Sequence, residues 1–185
     1  MSQIPIEISL ELTPNPNTLK YALNRRILAA GSQNYTTAED AAAYSPLASK
    51  LFALEGIGGV MIGPSFVTIT LLKTDKLRDL NRQVMATLKA HLESGEEICR
   101  PREPLAAGEE DAVSTRIREI IDGEIRPAVA MDGGDITFKG FKEGTVYLHM
   151  QGACSGCPSS TATLKSGIEN LLRHFVPGVE AVQQV

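Results

Sequence analysis

Gly152-Ala-Cys154-Ser-Gly-Cys157-Pro-Ser-Ser160 joins two runs of different periodicity. Before it, Thr145 to Gln151 alternates, with Val146, Leu148 and Met150 turned to one side; after it, Leu164, Ile168, Leu171, Leu172 and Phe175 recur at helical spacing. The loop therefore leaves a strand and enters a helix, and Pro158 suits a first helical turn. Small Ser155 and Gly156 let the backbone curl, so that Cys154 and Cys157 can face one metal centre. The unpaired N-H groups and positive dipole end of the following helix are expected to lower the thiol pKa and to favour the ligating thiolate. Hydrogen bonds from those amides to the sulfurs are expected as well.

Working outward, Ile136 to Phe141 pairs with Thr145 to Gln151 as a hairpin across Lys142-Glu143-Gly144. Upstream, Val113, Ile117, Ile120, Ile121 and Val129 form a helical stripe, with a kink or an end near Arg126 ahead of Pro127. Asp132 and Asp135 lie in an Asp-Gly-Gly-Asp turn that ends this helix and starts the strand. Beyond Pro177-Gly178, Val179 to Val185 supplies a last strand. Residues 112–185 thus read as an α-β-β-α-β domain.

From Glu93 to Asp111 the apolar periodicity fails, and Glu93, Glu96, Glu97, Glu103, Glu109, Glu110 and Asp111 face only Arg100 and Arg102. Residues 94–111 read as a flexible acidic linker that leaves Cys99 exposed. Residues 1–93 form a second small domain. Ile4 to Leu12 alternates as a half-buried strand, Thr13-Pro-Asn-Pro-Asn17 turns, and Leu19 to Leu23 returns. Ser45-Pro46 opens a helix that stops near Gly56, Val60 to Ile62 and Phe66 to Leu72 make a hairpin, and a helix from about Asp75 carries Leu77 to Leu92. The fold class is α+β, two small domains joined by the linker.

A formal charge of -4 gives no basic footprint for nucleic acid, and no apolar run is long enough to span a bilayer. The alternating start reads as a strand, neither signal nor transit peptide, so the chain is expected where it is made, in the bacterial cytosol. A processed organellar chain would read the same. Three cysteines are an odd number and too few for a disulfide framework, which fits a reducing compartment. His91, His149 and His174 are scattered and read as solvated.

A CxxC pair serves thioredoxin-like dithiol oxidoreductases, zinc sites and iron-sulfur proteins alike. The chain has no Trp, and the domain has no βαβ pattern ahead of the pair, which disfavours redox catalysis. Two thiolates are half the set that a usual iron-sulfur cluster needs, and the sequence has no second CxxC. A homodimer joining two copies of Cys154 and Cys157 would complete the shell, although the same four sulfurs also make a structural zinc site.

Met131-Asp-Gly-Gly-Asp135, the hairpin and Gly152 to Ser160 together resemble the C-terminal domain of NifU-like proteins. Thr13-Pro-Asn-Pro-Asn-Thr-Leu-Lys20, with Ser45-Pro-Leu-Ala48 and Leu51-Phe52, is similar to the N-terminal domain of the Nfu branch. The resemblance covers nearly all of the chain outside the linker. It implies a carrier or scaffold, without turnover chemistry, for a cluster that is usually 4Fe-4S, with 2Fe-2S as the smaller alternative. Cys154 and Cys157 of two subunits would bridge the cluster and pass it to apo iron-sulfur clients. The extra scaffold domain of the larger nitrogen-fixation proteins has no counterpart here, so initial assembly is expected of a separate upstream scaffold. The N-terminal domain has no comparable constellation and is expected to recognise clients or donors.

Overall fold

A computed structural model describes residues 5–72, 77–101, 111–155 and 158–185, the last segment with side chains from residue 162. The chain divides into two compact units, Met1–Arg102 and Glu103–Val185.

In the first unit, β1 (Ile8–Leu12), β2 (Thr18–Leu23), β3 (Gln33–Tyr35), β4 (Ile57–Ile62) and β5 (Phe66–Leu71) form one antiparallel sheet in the order β1-β2-β5-β4-β3. Three helices accompany it: α1 (Ala38–Tyr44), α2 (Pro46–Phe52) and α3 (Leu77–Ser94). Leu47 and Leu51 of α2 and Val84 and Leu88 of α3 share a core with Tyr21, Val60, Val67 and Ile69 of the sheet. Ser45 caps α2 as its sequence implies, its Oγ accepting from Ala48 N at 3.0 Å with Pro46 in the first turn. The start expected near Asp75 for α3 falls outside the described residues. β3 and α1 escape the periodicity reading. One has only three residues, and the other, of seven, is a run of small and acidic residues capped by Thr37.

Two expectations change. The apolar face of the first strand is half-buried only in part: Ile8 packs against the core, but Leu10 and Leu12 are 39% and 86% exposed. Their register, opposite Tyr21 and Leu19, points them to the core side, but β1 is the sheet's edge and that face is open there.

Nor does the chain become linker at Glu93. Residues 95–100 fold back along the unit as a strap. Ser45 Oγ donates to Ile98 O at 2.6 Å, Arg100 N donates to Tyr44 O at 2.7 Å, and Lys50 pairs with Glu96. Ile98 and Cys99 pack against the core, and Tyr35 Oη donates to Cys99 Sγ at 3.5 Å. The acidic composition hid this, because the strap docks through backbone groups, the apolar side chains of Ile98 and Cys99, and a pairing of Glu96 with Lys50 that no local pattern announces.

His91, read as solvated, is 2% exposed. It ties the strap to α3, with Nε2 3.2 Å from Glu97 O and Nδ1 3.2 Å from Lys50 Nζ.

The second unit begins with α4 (Ala112–Ile120), a π-helical turn (Ile121–Ile125) and α5 (Arg126–Met131). In place of the kink or end expected near Arg126, the helix has a widened turn and continues. Pro127 has no N-H to donate and its ring would crowd the preceding turn, and a wider turn relieves both while the helix continues. Ile117, Ile121, Ile125 and Val129 are all buried at a spacing of four, which in a pure α-helix would drift by about 40° per step. The π turn keeps them on one face.

β6 (Gly134–Lys142) and β7 (Thr145–Gly152) form the expected hairpin, turning through Glu143 and Gly144 at positive φ. α6 (Pro158–Phe175) then returns the chain to β8 (Ala181–Gln184), which pairs in parallel with β7. The observed order is α-β-β-α-β, as expected. Among the described residues no helix is long and apolar enough to cross a membrane.

Two outcomes follow for the first unit. A fragment ending at Glu93 should be about 2 kcal/mol less stable in urea unfolding than one ending at Pro101, because it lacks the burial of Ile98 and Cys99 and the bond to Ser45; equal midpoints would show that the strap adds nothing. Burial, followed by the Lys50 charge, lowers the His91 pKa below its ordinary 6.5. Above pH 6.5 the ring is neutral in both the folded and unfolded chains. As the pH falls below that, the unfolded chain takes up a proton that the folded ring resists, so stability is lost. His91→Gln should flatten this slope in a melting series from pH 7.5 to about 5.

Candidate functional site

Cys154 lies on the turn that leaves β7. Ala153 N donates to Gly133 O at 3.1 Å, Cys154 N to Gln151 O at 3.3 Å and Ser155 N to Gly152 O at 3.1 Å, so the turn is stitched to the start of β6. Gly133 and Gly152 sit at φ 77° and 61°, where a side chain would be strained.

Gly134 pairs with Gly152 across the strands, and its missing side chain leaves the recess that Cys154 fills. A Cβ there would lie 2.2 Å from Cys154 Sγ. Cys154 is consequently buried, 6% exposed as a residue, and belongs to the core that also holds Ile136, Met150 and Ile168.

That burial reverses one expectation. The Cys154 thiol is pushed up to about 12, first by burial and then by the charges of Asp132 and Asp135. In the described surroundings the thiol is favoured over the thiolate, and the anticipated lowering by the following helix does not prevail. Cys157, the second expected ligand, falls outside the described residues. Among the described residues no group of three or more His, Cys, Asp and Glu side chains is gathered closely enough to hold a metal ion.

The Asp-Gly-Gly-Asp segment is more than a turn. Asp132 is exposed, but Asp135 is 6% exposed and binds Arg126 through both oxygens: Nε to Oδ1 at 2.8 Å and Nη2 to Oδ2 at 2.8 Å. Arg126 Nη1 also donates to Asp122 Oδ1 at 3.0 Å. Sequence reading passed over Arg126 because nothing in its spacing points to β6; an acidic residue just after Gly-Gly was the available signal.

The remaining candidates lie elsewhere. Cys99 belongs to the strap of the first unit, half-buried beside Tyr35 and Ser45. His149 Nδ1 meets Val185 O at 2.8 Å, and His174 is exposed against the edge of Phe175.

The recess gives a direct test of this geometry. Gly134→Ala should retain the fold at a cost of about 1–3 kcal/mol and should expose Cys154 to alkylation. Unchanged stability together with unchanged labelling would refute the close approach.

Two family descriptions match the chain in order: "Scaffold protein Nfu/NifU N terminal" over residues 8–95 and "NifU-like domain" over residues 117–183. The human protein named "NFU1 iron-sulfur cluster scaffold homolog, mitochondrial" is 40% identical over 185 residues, covering 96% of this chain and 71% of that protein. The Drosophila erecta protein of the same name is also 40% identical, and the chain spans 64% of its length. A solution NMR structure of a NifU-like protein from Saccharomyces cerevisiae superposes with a TM-score of 0.49 at 25% identity, over 55% of this chain and 91% of that one. With both domains matched in sequence order and 40% identity to the human relative, the chain belongs to the Nfu family of NifU-like proteins.

Proposed function

We propose that this protein carries an iron-sulfur cluster as cargo, held by Cys154 and Cys157 of two copies of the chain and passed on to apo-proteins. The observation that carries the reading is the Cys154 sulfur seated opposite Gly134, so close that a Cβ on residue 134 would lie 2.2 Å from it. Membership of a family whose relatives are named iron-sulfur cluster scaffolds supports it. Thiolate sulfur is the usual donor to such clusters, and four sulfurs from two chains complete the set for a 4Fe-4S cluster or its 2Fe-2S alternative.

Delivery runs by ligand exchange. Each incoming client thiol gives up its proton as its sulfur binds iron, and each departing cysteine takes one up, so no electrons move and no turnover chemistry is required. For Cys154 the departing sulfur returns to the Gly134 recess. The first unit selects clients or the upstream donor, which leaves the second free to present its cargo. The human and fly relatives carry "mitochondrial" in their names, and this chemistry suits any reducing compartment, bacterial cytosol included.

Anaerobic native mass spectrometry after reconstitution with iron and sulfide tests the reading, since one spectrum gives both subunit count and bound inorganic mass. The expected species is a dimer with one 4Fe-4S mass, absent in Cys154→Ser and Cys157→Ser and retained in Cys99→Ser. A metal-free monomer with a cycling disulfide would replace the reading by dithiol redox chemistry. A dimer that takes only zinc would make the site structural.

A further inference from the structure

The Arg126 side chain begins on the helix and ends on the sheet. It leaves the chain where the π turn Ile121–Ile125 gives way to α5, and its guanidinium grips both oxygens of Asp135, the second residue of β6. Asp122, four residues back, holds the same guanidinium from within the π turn. This is not a surface ion pair: the two side chains are 28% and 9% exposed, and a two-pronged bond fixes orientation as well as distance. Asp135 directly follows Gly134, whose bare Cα faces Cys154 Sγ. The helix register, the start of β6 and the cysteine recess are therefore linked through one side chain.

We propose that Arg126 is a positioning residue for Cys154: its planar fork pins Asp135, and through it the start of β6, so that Gly134 stays opposite Cys154 and keeps the sulfur in place. The π turn belongs to the device, because it sets the point on the helix from which Arg126 reaches β6 while Ile125 and Val129 remain in the core. The consequence for cluster loading rests on the carrier reading, whereas the geometry stands without it.

The test is the alkylation rate of Cys154 in the full-length, metal-free chain, followed by peptide mass spectrometry with Cys99 as the internal control. Arg126→Lys keeps the charge and loses the fork. Arg126→Gln also leaves the carboxylate of Asp135 unneutralised, which by electrostatics alone would slow thiolate formation. Both should label Cys154 about tenfold faster than wild type, because losing a charge-assisted, two-pronged bond eases local opening, with Cys99 unchanged. Val146→Ala, a buried site at the other end of the β6-β7 hairpin, opposite Phe141, supplies a variant of lowered urea midpoint. If it labels as fast as the Arg126 variants at equal stability, or if those variants label at the wild-type rate, the positioning role is overturned. Should Arg126→Gln fail to fold, Arg126→Lys decides alone. In reconstituted protein, Arg126→Lys should also alter the visible circular dichroism of the bound cluster. A wild-type chain that takes up no cluster would remove the carrier reading and leave the labelling result intact.

Discussion

One close approach governs the second unit: the sulfur of Cys154 occupies the space that a side chain on residue 134 would fill. The strand pair β6 and β7 must end on two glycines facing each other, Gly134 and Gly152, for the turn to fold inward there. Gly133 must take a positive φ so that its carbonyl can receive Ala153 N. Asp135 must then be held, because a strand that drifted at its first residues would close or open the recess. Several features of unlike kind, a bare Cα, a left-handed backbone and a buried ion pair, thus serve the position of one atom.

The same packing explains why the thiol is protonated in the described surroundings. Burial against Ile136, Met150 and Ile168 disfavours a charge, and two carboxylates nearby disfavour a negative one further. A reactive, solvent-facing thiolate, as a dithiol catalyst would need, is not what this environment stabilises.

In the first unit a comparable economy operates through Ser45. One hydroxyl accepts from Ala48 N to cap α2 and donates to Ile98 O to hold the strap. His91 and Lys50 brace that strap from α3 and α2, so the end of the unit is set by hydrogen bonds rather than by composition. Acidic residues in the strap do not make it linker: Glu96 pairs with Lys50 while the backbone of Glu97, Ile98 and Arg100 docks on the unit.

Much of this was legible beforehand because it depends on local chemistry. The period of two in β7, the hairpin turn at Glu143-Gly144, the Ser45-Pro46 helix start, the second unit's element order and the family resemblance at the cysteine loop all follow from neighbouring residues. What tertiary structure alone decided depends on residues far apart in sequence or on the edge of a sheet. Leu10 and Leu12 carry a buried-strand pattern, yet they are exposed because no periodicity tells an edge strand from a covered one. The spacing of four from Ile117 to Val129 contained the π turn, but only packing could choose between a wide turn and a broken helix at Pro127. His91 and Cys99 looked like bystanders because their partners belong to other elements. The sequence by itself marked Cys154 and Cys157 as candidate ligands, since that choice is a matter of sulfur and spacing. Whether Cys154 is a charged thiolate or a covered thiol was decided by Gly134, Asp132 and Asp135, because a pKa is set by what surrounds the group in space.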